Sequence, residues 1–205
     1  VIDNTIVNVA IPTFARDLNA STTGLQWIVD AYTLAFACLL LPAGHLGDRI
    51  GRRRVLVIGL AAFGVVSGAT ALCTTLDAVT TCRALLGVCA ALVYPATLSL
   101  IMTTFEGSSR KGLAVGLWAA TSGLGIALGP ILGGLLLEHF SWESIFWVNV
   151  PLALITVPAV LVAVPESRSS EKARFDVVGA ILSAIGVGAL AVSYTHLRAH
   201  ETEAD

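Results

Sequence analysis

The 205-residue chain is 56% hydrophobic and only 13% charged, against about a quarter charged in an average soluble domain. Its mean hydropathy is +0.83, and a soluble domain of this size cannot hide that much apolar material, so a soluble enzyme, a disordered chain and a disulfide scaffold are excluded. The net charge of -2 offers no basic surplus for nucleic acid, and the long unbroken apolar runs lack the alternation of barrel strands.

What remains is an all-α integral membrane protein. A helix needs about 20 apolar residues to cross the hydrocarbon. By that measure the chain holds a partial span over residues 1–12 and further spans over 25–43, 55–74, 79–103, 113–137, 144–164 and 177–192. The connections between them are short and polar, or rich in Gly, Ser and Pro. The first run has about half the needed length and opens on Val1, so the chain is expected to begin inside a helix. After residue 192 the sequence turns abruptly into Ser193-Tyr-Thr-His-Leu-Arg-Ala-His. Residues 194–205 resemble a translated sequencing adapter and are expected to be an artefactual tail. The expected organisation is a six-helix domain over 1–164, a cytoplasmic linker over 165–176 and a seventh helix over 177–193.

Basic residues in short loops fix orientation. Nine of the twelve Lys and Arg fall in the stretch 44–54, at Arg110 and Lys111, and at Arg168, Lys172 and Arg174. Counting spans puts all three groups on one side, which is therefore expected to be cytoplasmic. Phe140, Trp142, Phe146 and Trp147 are expected to anchor at the outer interface. Cys38, Cys73, Cys82 and Cys89 form no Cys-x-x-Cys pair and read as small packing residues.

Between the second and third spans stands Gly44-His-Leu-Gly-Asp48-Arg-Ile-Gly51-Arg-Arg-Arg54, expected to be a tight, glycine-bounded turn. The pattern resembles the signature loop of the major facilitator superfamily, with Gly44, Leu46, Asp48, Gly51, Arg52 and Arg53 matching. The resemblance implies that this stretch, with Arg49, latches the two halves of a transporter. It also implies that the acid faces a helix N-terminus in the second half, where the helix dipole favours negative charge.

In the fourth span, Arg83-Ala-Leu-Leu-Gly87-Val-Cys-Ala90 is similar to the superfamily's Arg-x-x-Gln-Gly-x-Gly-Ala motif, with Leu86 and Cys89 departing from it. An arginine inside hydrocarbon is costly and usually functional, although one this close to a span end also reads as snorkelling to the surface. Arg83, Gly87, Ala90 and Tyr94 follow helical spacing and so share one face. In the fifth span Gly125, Gly129 and Gly133 are four apart, a small-residue ladder that admits a close neighbour. With Pro130 and Gly134 they resemble the antiporter motif of the same superfamily.

Asp3, in Ile2-Asp-Asn-Thr-Ile-Val-Asn-Val-Ala-Ile-Pro, and Asp30, in Trp27-Ile-Val-Asp-Ala-Tyr-Thr-Leu, lie in strings similar to the fourteen-helix drug:proton antiporter family. So do Phe146-Trp-Val-Asn-Val-Pro151 and Phe175-Asp-Val-Val-Gly179. Counted from the span ends at about 1.5 Å per residue, Asp30 and Arg83 have equal depth and are expected to pair, with Asp3 one or two turns deeper in the same cavity. Asn4 and Asn8 share a face, and with Tyr94 they are candidates for the substrate path; Trp118 has no assigned role. The resemblance implies the N-terminal part of a proton-coupled exporter of hydrophobic or cationic drugs, working by alternating access from inverted repeats of three helices. Proton coupling would fall to Asp3, Asp30 and Arg83. The implied partners are a small-molecule substrate, the lipid bilayer of a bacterial cell membrane and a C-terminal half, with the proton gradient in place of a cofactor. An exporter of one specific metabolite fits the same motifs. A membrane-embedded enzyme would call for intramembrane histidine, and no histidine lies within an expected span.

Overall fold

A computed structural model describes residues 2–167 together with Gly186 and Ala189. Apart from Gly186 and Ala189, the expected seventh helix lies outside the described residues, as do nearly all of the linker and the expected tail. The rest is helical: α1 (Ile2–Asp17), α2 (Thr22–Ile50), α3 (Arg52–Thr70), α4 (Leu76–Thr104), α5 (Lys111–His139), α6 (Ser144–Trp147) and α7 (Asn149–Ala163). Among the described residues five helical stretches are long and apolar enough to cross a membrane, with α6 and α7 together making the last. α1, at 16 residues, is the short one.

Local chemistry sets the ends. Ser21 and Thr75 cap α2 and α4, each accepting from a backbone N–H three residues on, the usual role of a hydroxyl before a helix. The helix boundary at Val148 lies three residues before Pro151, whose ring nitrogen has no hydrogen for the Trp147 carbonyl. Pro12 does not end α1, which continues for five residues to Asp17. Phe14 in that last stretch is fully buried and meets Trp142 edge-on, 5.3 Å between ring centroids.

That contact corrects one expectation. Trp142 and Phe146 are core residues, 4% and 0% exposed, and only Phe140 and Trp147 point outward. A second correction concerns the turn expected over 44–54. α2 runs through Ile50 and α3 starts at Arg52, so Gly51 alone separates them. Gly51 has φ +116° and the Glu166 carboxylate lies where a Cβ would stand, two conditions that only glycine meets.

The helices pair α1 with α5, α2 with α4, and α3 with both α4 and α7. Exchanging the first three spans for the next three turns the α1–α5 pair into α2–α4 and returns α3–α7 to itself, whereas the α3–α4 pair has no comparable α1–α7 counterpart. Glycines set the closeness. A Cβ on Gly87 would strike the Tyr32 carbonyl, and one on Gly59 would come within 2.8 Å of Val93. Outward faces carry large apolar side chains such as Val65, Leu154 and Val162, and α7 buries none of its residues within the bundle, as suits helices surrounded by lipid.

Candidate coupling site and transport cavity

Arg83 projects from α4 into the packed interior and is 0% exposed. Each nitrogen of its guanidinium fork has a partner. Nη1 donates to Asp3 Oδ2 at 2.7 Å, Nη2 to Asn4 Oδ1 at 3.1 Å, and Nε to the Ile28 carbonyl at 3.1 Å. The Tyr32 ring lies under the guanidinium carbon, 4.4 Å from its centroid, a cation–π contact. A buried charge needs this degree of compensation. Snorkelling does not occur.

The partner of Arg83 is thus Asp3, and the expected Asp30–Arg83 pair does not form. The reason is rotation about the helix axis, which depth arithmetic ignores. Ile28 faces α4 and is fully buried; Asp30, two residues on, is about 200° further round α2 and interacts with Gln26 one turn back. α4 also begins at Leu76, three residues before the apolar run suggested, which carries Arg83 deeper and within reach of Asp3.

Asp3 has a second partner that sequence reasoning missed. Asn149 Nδ2 donates to Asp3 Oδ1 at 2.9 Å and to Ser67 Oγ at 3.0 Å. Ser67, itself fully buried, donates to the Phe146 carbonyl at 2.9 Å. The available signal was one polar amide in the apolar string Phe146-Trp-Val-Asn-Val-Pro.

Beside this network lies a cavity of about 660 Å³, within the range of small-molecule sites. Asn4, Tyr32, Phe36, Phe63 and Tyr94 are in its wall. Three of its rings continue in series to Trp118: Tyr32 stacks on Phe36 at 6.3 Å, Phe36 meets Tyr94 edge-on at 5.8 Å, and Tyr94 meets Trp118 at 5.1 Å. The stripe Arg83, Gly87, Ala90 and Tyr94 does face inward, with Ala90 and Tyr94 reaching the cavity. Asn8 does not line it: its side chain is exposed and donates to the Asn4 carbonyl one turn back. Trp118, left without a role by sequence, closes the aromatic series and donates to Thr97 Oγ1 at 3.2 Å.

At the other end of α2, Asp48 takes two hydrogen bonds from Arg52, at 2.7 and 2.9 Å. Within the described residues Glu166 is an acid at a helix N-terminus, that of α3. Its Oε1 accepts from the Arg53 backbone N–H at 3.2 Å, and its Oε2 lies 3.6 Å from Arg54 Nε and 3.9 Å from Arg53 Nε. The Arg52 N–H goes to the Ser167 carbonyl at 2.9 Å. Glu166 was legible only as an acid following the sixth apolar run, on the arginine side. Gly44 rests against Pro95 of α4, and Arg49 is exposed.

In α5, Gly125, Gly129 and Gly133 are the buried residues, and α1 is their neighbour. A Cβ on Gly129 would overlap the Thr5 side chain, while one on Gly133 would sit 3.4 Å from Ile6 and Val9. Pro130 and Gly134 turn away from α1 and are exposed.

The site is thus a buried arginine–carboxylate pair beside an aromatic cavity in a multi-pass helical bundle. A family model described as Major Facilitator Superfamily matches residues 1–199, and the chain belongs to that superfamily. Over 182 residues it is 47% identical to the multidrug efflux pump LfrA of Mycolicibacterium smegmatis, covering 89% of this chain and 36% of the relative. It is 40% identical to the methyl viologen resistance protein SmvA of Salmonella typhimurium, covering 97% and 40% respectively. Identity is also 40% to the tetracenomycin C resistance and export protein of Streptomyces glaucescens, covering 88% and 34%. The chain therefore spans between about a third and two fifths of the length of these relatives.

Proposed function

We propose that this chain is the N-terminal part of a proton-coupled drug exporter of the bacterial plasma membrane, with Asp3 as its proton carrier. The observation that carries the reading is the Asp3–Arg83 pair, 2.7 Å long and buried at the flank of an aromatic cavity. A bound cation or a helix movement that loosens the hold of Arg83 frees the Asp3 carboxylate to take up a proton. Loading a proton then shifts the balance between inward-open and outward-open states, and the drug leaves as the proton enters.

The cavity wall supports the substrate class. Aromatic faces accept flat apolar molecules by stacking and cations by their ring electrons, consistent with relatives named for resistance to methyl viologen and tetracenomycin C. The Gly51 junction, with Asp48 and Arg52, serves as the latch against a C-terminal half. The glycine ladder of α5 serves as the sliding contact with α1. Asp30, standing apart from the pair, is a secondary carboxylate.

The test uses the intact carrier in proteoliposomes with a pH dye inside and methyl viologen as the driving substrate. Asp3→Asn abolishes substrate-driven proton movement, and Asp30→Asn reduces it less. Full proton-driven exchange in Asp3→Asn would remove the basis of the reading.

A further inference from the structure

We infer that Asn149 is a positioning residue that reads the charge on Asp3 and passes it to the joint between α6 and α7. This rests on Asp3 being the proton carrier. The Asp3 oxygens are divided between two donors: Oδ2 belongs to Arg83, Oδ1 to the Asn149 amide. The same amide nitrogen donates to Ser67 Oγ, and the Ser67 hydroxyl donates to the Phe146 carbonyl. That carbonyl sits one residue before the end of α6, beside the boundary opposite Pro151. A relay of three hydrogen bonds therefore runs from the carboxylate to a weak point in the last span.

Its direction depends on charge. An ionised carboxylate only accepts, whereas a carboxylic acid also donates. Oδ2 faces the guanidinium, so an arriving proton settles on Oδ1, and its O–H then faces the N–H of Asn149. Two donors cannot bond. The amide turns about its Cβ–Cγ bond and offers Oδ1 to the new O–H. The amide oxygen now stands where the nitrogen met Ser67, and the Ser67 hydroxyl swings round to donate to it, releasing Phe146. The balance is one proton gained by Asp3; Asn149 and Ser67 keep theirs, and no covalent bond changes.

The surroundings suit this role. Among the described residues the charged or titratable groups near Asp3 are Arg83 from α4 and Tyr32 from α2; the cavity-lining side chains of α3, α5 and α7 are neutral. Asp3 and Asn149 border a second cavity of about 430 Å³ whose other polar side chains are Thr97, Trp118, Thr121 and Ser122. Neither residue lines the aromatic cavity.

The test measures the pH midpoint of coupled exchange in the proteoliposome assay above. Asn149→Ala removes a hydrogen bond that favours the ionised acid, and the midpoint rises by about one pH unit. Ser67→Ala leaves the midpoint in place. It also exposes the amides of residues 147–150 to deuterium exchange about tenfold faster at every pH, whereas the parent protein opens there only below its midpoint. A purely structural Asn149 would lower turnover in Asn149→Ala with the midpoint unmoved, and that result overturns the inference. Should Asn149→Ala fail to reach the membrane, Ser67→Ala decides alone: retained pH-dependent protection of 147–150 refutes the relay. If Asp3→Asn keeps proton-driven exchange, the carrier assignment itself falls. If Asp3→Asn loses that exchange while Asn149→Ala keeps the parent midpoint, only the role of Asn149 falls.

Discussion

Replacing Arg83 tests the centre of the fold and of the site together. Its guanidinium makes three hydrogen bonds, to Asp3, Asn4 and the Ile28 carbonyl, and lies over the Tyr32 ring. Arg83→Lys keeps the charge but has no planar fork, so it holds Asp3 and gives up the other two bonds. At about 1.5 kcal/mol for each bond involving a charged group, the loss is about 3 kcal/mol. Arg83→Met removes the cation and leaves the Asp3 carboxylate buried with Asn149 as its donor. Breaking a buried pair from one side costs about 3–5 kcal/mol. Asp3→Asn in the same background removes the stranded charge, so the double variant recovers part of that loss, with a coupling energy of about 2 kcal/mol. The assay is reversible unfolding of the intact carrier in mild detergent, comparing parent, both single variants and the double. Stability of Arg83→Lys within about 0.5 kcal/mol of the parent, or strictly additive losses in the cycle, would refute the claim that Arg83 holds Asp3.

Four further outcomes are expected. Gly129→Ala drives a methyl group into Thr5, and should lower stability by about 1–3 kcal/mol, whereas Gly134→Ala, which meets nothing within 4 Å, should be neutral in the same unfolding assay. Glu166→Gln keeps a hydrogen-bond acceptor but removes the charge beside Arg53, Arg54 and the start of α3; it should cost about 1 kcal/mol at low salt and much less at 1 M salt, where screening is nearly complete. Cys73 and Cys82 sulfurs lie 3.8 Å apart, joining the end of α3 to the start of α4, so copper-phenanthroline oxidation should cross-link them and block maleimide labelling of both, while Cys73→Ser leaves Cys82 open to the label. In drug-resistance assays Asn4→Ala should lose activity and Asn8→Ala should not, since only Asn4 touches both Arg83 and the cavity.

Much of the architecture was legible because a bilayer imposes its length on every crossing. Apolar runs of the required size located the last five spans of the described region, and the arginine-rich stretch correctly marked the α2–α3 junction. The glycines at 125, 129 and 133 announced one close helix neighbour by their spacing alone. What failed did so for identifiable reasons. The expected loop over 44–54 is helix on both sides of Gly51, because polar and charged residues beyond the hydrocarbon continue a helix as readily as apolar ones. Trp142 and Phe146 read as interfacial anchors by composition, yet they are the rings against which Phe14 and α1 close. Asn8 shares a helical face with Asn4, but the cavity wall ends before reaching it.

By itself the sequence determined that this protein spans a membrane with helices, and it picked out Asp3 and Arg83 as charges too costly to be there without use. It could not determine who pairs with whom. Depth along a helix accumulates residue by residue and survives in one dimension, whereas pairing depends on the rotation of each helix about its axis and on which neighbours touch. Those are fixed by packing among α1, α2 and α4. That packing turned Ile28 toward Arg83 and Asp30 away from it, and the packing of α7 on α3 brought Asn149 onto the other oxygen of Asp3.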